Sequence, residues 1–187
     1  MKRILSALFA VMMLFSMNFT AFAADNTTDS ITYIYVDSVD DIDWENISSD
    51  IAYLVPNENV PDVIFPASLQ LNSGIVPYGI SPPDDEWNIV TQGPYDFNGS
   101  IDHLVYDLYT DYYFVGKNTY SIVCKNSYDD TVRMEAKTFW GVSLFKRWDI
   151  DAGHTLYAFI DSTDNISETT EWYLAWHTPA IVSGTVS

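Results

Sequence analysis

The sequence predicts an all-β protein, an immunoglobulin-like antiparallel β-sandwich preceded by a proline-rich, weakly structured N-terminal arm. Three observations carry that reading. Two runs with a period of two meet at the polar turn formers Asn126, Ser127, Tyr128, Asp129 and Asp130. Short strand-like runs follow one another after Trp87, each set off by turn residues. Six of the eight prolines crowd into Pro56–Pro83, which opposes long regular elements there. The chain accordingly divides into 1–24, a signal peptide; 25–85, an arm, propeptide or spacer; and 86–187, the sandwich.

Lys2 and Arg3 form a basic start, Ile4 to Phe15 is almost wholly apolar, and Ala21-Phe22-Ala23 has the small-x-small pattern that a signal peptidase reads. Cleavage is expected after Ala23 or Ala24. A membrane anchor is the weaker alternative, because Ser16 and Asn18 interrupt a run already short for a span. The mature chain is expected to be secreted and extracellular, with no membrane anchor after cleavage.

In the arm, Ile31–Val36 reads as a strand, and Trp44, Ile47 and Ile51 have the spacing of a short helix. The prolines follow. The arm lacks a sustained apolar face, so the sandwich from Trp87 onward is expected to fold alone. The opposing feature is that Ile31–Val36, Ile51–Val55 and Val63–Phe65 are apolar enough to add a strand to a sandwich edge.

The expected strands are Trp87–Thr91, Tyr95–Phe97, Leu104–Tyr109, Tyr112–Val115, Thr119–Lys125, Thr131–Phe139, Val142–Trp148, Thr155–Ile160, Glu171–His177 and Ile181–Val186. Turns are expected at Gly93-Pro94, Asn98-Gly99, Gly116, Asp129-Asp130, Asp151-Ala152-Gly153 and Thr163-Asp164-Asn165. Tyr120, Ile122 and Cys124 share one face of their strand; Val132, Met134 and Ala136 share one face of the next, alternating with Arg133, Glu135 and Lys137. The two runs are read as a two-faced antiparallel hairpin. Trp172, Leu174 and Trp176 likewise share a face. No helix of three turns is expected after Trp87.

Eight Lys and Arg stand against 26 Asp and Glu, a net charge of −18, and loss of Lys2 and Arg3 with the signal takes it to −20. Such a surface repels phosphate backbones and anionic membranes, which argues against a nucleic-acid partner. It also keeps an exported protein soluble. Cys124 is alone, so no intramolecular disulfide can form and the fold relies on its core. Its face-mates place it in that core as an inert thiol.

From Trp87 to the end the chain resembles a group of small exported β-sandwich proteins of Gram-positive bacteria whose function is not established. The residues that carry the resemblance are Trp87, TQGPYDFNGS, LYTDYYFVGKNTYSIVCKN and the closing WYLAWHTPAIVSGTV. It covers about the last hundred residues, the length of one sandwich domain. It implies a sandwich and export, and it implies no particular activity. Asp111 stands where that group often carries Asn.

Three constellations are candidates for chemistry. Asp149, Asp151, Asp161, Asp164 and Glu168 flank the strand Thr155–Ile160, and Asp161, Asp164 and Glu168 form a loose calcium candidate. It lacks the glycine and regular spacing of a calcium loop, as do Asp37, Asp40, Asp41 and Asp43, so solvated acidic loops are the competing account. Tyr106, Tyr109, Tyr112 and Tyr113 crowd one stretch, and Trp140 and Trp148 sit at strand ends; exposed rings there, with Tyr109, Tyr112, Tyr113, Trp140 and Trp148 as the candidates, would stack on sugar faces or other ligands. A sandwich without disulfides must also bury such rings. The histidines His103, His154 and His177 have no metal-ligand spacing, and no G-x-S-x-G elbow occurs. No catalytic residue and no cofactor are assigned, although paired carboxylates among so many acids stay open. The expectation is a secreted, non-catalytic binding or interaction module for an extracellular protein or glycan. The alternative is a carbohydrate-binding module or glycan-active enzyme using exposed aromatics.

Overall fold

A computed structural model describes residues 30–61, 81–102, 107–138 and 144–187. The described residues form two mixed sheets stacked as a sandwich. In the first, the order is β1 (Thr32–Tyr35), β2 (Ile51–Pro56), β10 (His154–Ile160), β7 (Tyr120–Asn126), β12 (Ala180–Val186) and β4 (Tyr95–Ile101). In the second, it is β3 (Asp85–Asn88), β6 (Tyr112–Val115), β11 (Trp172–Trp176), β8 (Val132–Thr138) and β9 (Leu144–Ile150), with the short β5 (Leu108–Tyr109) also pairing β11. The pairings are antiparallel except β1–β2 and β3–β6.

The period-two patterns set which side of each strand is dry. Tyr120, Ile122 and Cys124 of β7, Val132, Met134 and Ala136 of β8, and Trp172, Leu174 and Trp176 of β11 are all buried in one core. Trp148 of β9 joins them. Ring pairs knit the layers: Tyr120 to Trp172 at 4.9 Å, Phe97 to Trp176 at 5.0 Å and Tyr95 to Phe114 at 5.3 Å between centroids.

The all-β sandwich stands, but several local expectations are corrected. β7 and β8 are not a hairpin. β7 pairs β10 and β12 in the first sheet, while β8 pairs β11 and β9 in the second. Their connection crosses the sandwich, and buried Asn126 holds it: its amide donates to the carbonyls of Asp130, Ile150 and Asp151, and its oxygen accepts from Tyr128 N. The strand expected at Trp87–Thr91 ends at Asn88, whose side chain caps a single helical turn, α1 (Ile89–Gln92), by accepting from the amides of Val90 and Thr91. Asn98-Gly99 is inside β4, opposite Ser183 and Val182, and an edge strand tolerates it. In place of the short helix over Trp44–Ile51 there is only a 3₁₀ turn upstream, Val39–Asp41.

Residues 30–61 of the stretch read as an arm supply β1 and β2, the edge-strand addition that their apolar runs permit. The sandwich therefore draws on both sides of Asp85. β2 lies against β10, and Ile42, Tyr53, Val55, Val60 and Tyr157 form a second small core on the outer face of the first sheet. β1 also closes one side of the sandwich: Tyr33 Oη accepts from the amide of Asp149 on edge strand β9, at 2.7 Å. Residues 62–80, with the expected strand Val63–Phe65, and residues 1–29, which include the expected signal peptide 1–24, lie outside the described residues.

Candidate functional site

At one end of the second sheet, two crossing connections and two strands frame an open groove of about 350 Å³. Tyr128, Asp130 and Thr131 come from the β7–β8 connection, Arg133 from β8, Asp149 from β9, and His177, Thr178 and Pro179 from the β11–β12 connection. Arg133 grips Asp149 with two prongs, Nε to Oδ1 at 2.8 Å and a terminal nitrogen to Oδ2 at 3.4 Å. Register makes this pair, because Arg133 and Asp149 are direct partners across β8 and β9. Beside the groove, Asp151 joins Thr131 to Tyr35: Thr131 Oγ1 donates to Oδ1 at 3.3 Å and Tyr35 Oη to Oδ2 at 2.7 Å. The Tyr35 ring is 60% exposed and stands edge-on to His154 at 5.9 Å.

Behind the groove lies a carboxylate where alternation puts a solvent-facing residue. Glu135 is only 4% exposed. Lys137 Nζ meets its Oε2 at 2.9 Å, Arg147 Nε meets Oε1 at 3.1 Å, and His177 Nε2 meets Oε2 at 3.2 Å. Burial by itself would raise the carboxyl; the bonds from Lys137 and His177, with their charges, outweigh it and hold Glu135 at about 2. Glu135 thus fixes the ring of His177 at the groove wall. Of the six Lys and Arg beyond the expected signal, Arg133, Lys137, Lys146 and Arg147 all sit on β8 and β9. On these two strands cations and carboxylates pair side by side in a strongly acidic chain. The lining combines hydroxyl groups, one carboxylate beside Arg133, a further carboxylate on Asp130 and the ring of His177.

The residues singled out by sequence are not brought together. Trp148 is fully buried in the core, which removes it as a ligand platform: its strand's inward phase, shared with Ile150, puts it opposite Met134. Tyr109 packs on Tyr173 at 5.9 Å, and Tyr112 lies 5.3 Å from Trp87 and 5.7 Å from Tyr95. Both are half-buried structural rings. Tyr113 is half-exposed on β6, where burial and the carboxylates of Glu171, Glu86 and Asp85 raise its hydroxyl. Tyr106 and Trp140 lie outside the described residues.

The calcium candidates turn to other partners. Asp161 accepts from Thr163 N and Oγ1 as the cap of a 3₁₀ turn, Ser162–Asp164. Asp164 bonds Lys146 and the amide of Asp161. Glu168 is exposed, and only its backbone carbonyl is engaged, by Gly116 N. Asp43 accepts from Glu45 N, Asn46 N and the Asn46 amide. Among the described residues no group of three or more His, Cys, Asp or Glu converges to hold a metal. Cys124 is buried as its strand phase requires, and burial pushes its thiol up to about 12.

Sequence reasoning missed Tyr128, Arg133, Glu135 and His177 as a unit. The only local signal is the opposite-sign alternation Arg133-Glu135-Lys137 along one strand face. Compared with known proteins, the chain matches no family model, no curated protein and no solved structure.

Proposed function

We propose that the chain is an exported, non-catalytic binding module that receives part of an extracellular protein or glycan in the groove between Tyr128 and Pro179. The observation that carries this reading is the groove itself: a two-pronged Arg133–Asp149 pair on β8 and β9, His177 held by buried Glu135, and the hydroxyl side chains of Tyr128, Thr131 and Thr178 from the two crossing connections. The signal-like start and the resemblance to exported Gram-positive sandwiches support secretion. Mass spectrometry of exported material is expected to begin the chain at Ala24 or Asp25, and an intact Met1 on it counts against export.

A glycan is the second reading. It is favoured by the exposed Tyr35 ring beside the groove and by the mixed donors and acceptors, which suit sugar hydroxyls. A glycan array and a protein–protein screen with the wild type and Arg133→Ala test both. Binding lost tenfold or more in Arg133→Ala supports the groove, and undiminished binding by the variant refutes it. The kind of array that yields the hit decides between protein and glycan.

A further inference from the structure

Lys146 sits where a strand of the sandwich would place an apolar residue. Its side chain is 1% exposed, and that of Asp164 is 3% exposed. The ammonium meets Asp164 Oδ1 at 2.8 Å and Asp50 Oδ1 at 3.1 Å. The other oxygen of Asp164 accepts the backbone N–H of Asp161 at 3.1 Å. A carboxyl carbon is therefore flanked by an amine, by a hydrogen-bond donor on its second oxygen, and by a further carboxylate that touches the amine. Those are the parts of an acyl transfer: nucleophile, oxyanion donor and proton acceptor.

We propose that Lys146 and Asp164 condense into an intramolecular isopeptide bond, with Asp50 as the proton carrier. One ammonium proton passes to Asp164 Oδ1, leaving a neutral amine and a carboxylic acid. Nζ then attacks Cγ, and the charge that develops on Oδ2 rests against the Asp161 N–H. Asp50 takes a second proton from nitrogen and returns it to the departing hydroxyl. The C–Oδ1 bond breaks, the C–N bond stays, and water leaves. Ammonium plus carboxylate gives amide plus water, so no oxidant, cofactor or activated group is needed.

Two effects drive the condensation against water. Groups held in contact reach effective molarities of about 10⁵–10⁸ M in well-oriented cases. The product also replaces two charges withdrawn from solvent with one neutral amide, relieving their desolvation. Burial pulls the ammonium down, but Asp164 and Asp50 more than offset it and hold Lys146 above its usual value. The free amine is thus a minor species, and the bond forms slowly after folding. Its place in the fold gives it a purpose. It ties edge strand β9 to the β10–β11 connection in a chain whose single cysteine rules out a disulfide between them.

The test is the intact mass of the folded full chain, with peptide mapping. The wild type is expected to be lighter than its sequence by one water, with a branched peptide joining Lys146 to Asp164. Lys146→Met is expected at its full mass, and Asp50→Asn is expected to accumulate the linked form more slowly. A folded wild type at its full mass overturns the proposal. So does a water lost equally from Lys146→Met, which places the loss elsewhere.

Discussion

Replacing Glu135 by Gln removes one charge from behind the groove and leaves the shape almost unchanged. In the folded chain this carboxyl is held at about 2, against a reference of 4.5. That difference corresponds to about 3 kcal/mol. Arg147 and His177 are partly open to solvent, which screens their share, so about 1–3 kcal/mol is the expected loss at neutral pH. Because the folded value lies below the unfolded one, the contribution is complete above about pH 4.5. It fades as pH falls toward 2. Urea unfolding of wild type and Glu135→Gln at a series of pH values between 7 and 2 reads this directly. The gap in stability should be widest at the neutral end and close on acidification. A gap that is absent at pH 7, or that stays constant down to pH 2, refutes the account of Glu135 as the charged anchor of Lys137, Arg147 and His177.

Three further outcomes follow from the packing. A methyl group at Gly184 would lie 2.6 Å from Phe97 Cζ and press on the Val123 carbonyl, so Gly184→Ala is expected to cost about 1–3 kcal/mol or more by thermal or urea unfolding; a neutral result contradicts the close approach of β12 to β7. Cys124, buried with its thiol near 12, should react with a thiol reagent no faster than the chain opens, and rapid native-state labelling would show the phase of β7 to be wrong. A chain beginning at residue 81 loses β1 and β2, leaves one side of β10 unpaired and strips the cover from Tyr157, so it should aggregate or lose its cooperative melt. Equal melting temperatures for the two chains would restore the reading of 25–85 as an independent arm.

The dry face of each strand was legible because alternation reports burial directly. Tyr120-Ile122-Cys124 and Trp172-Leu174-Trp176 face the core as their spacing requires. Partnership was not legible. A half-buried strand looks the same whichever sheet it joins, so β7 and β8 read as a hairpin although their connection crosses between the sheets. Trp148 looked like a strand-end platform, but β9 runs on to Ile150 and carries it into the core. The burial of Glu135 depends on cations from β9 and from beyond β11, which no local pattern announces. The groove is harder still, since it is assembled from strand ends and connections far apart in the chain. The acidic loop at Asp161–Glu168 showed the opposite problem. Its carboxylates are adjacent in sequence, yet backbone amides and Lys146 claim two of them separately.

The claim that the groove is the recognition surface is tested most directly by NMR titration of the isotopically labelled chain with the protein segment or oligosaccharide found by screening. The backbone amides of Tyr128, Asp130, Thr131, Arg133, Asp149, His177 and Thr178 should shift together and saturate with one affinity, and Arg133→Ala should weaken that affinity at least tenfold. Shifts confined to another surface, such as the exposed Trp44 on the far side of the first sheet, with the groove amides unmoved, would contradict it.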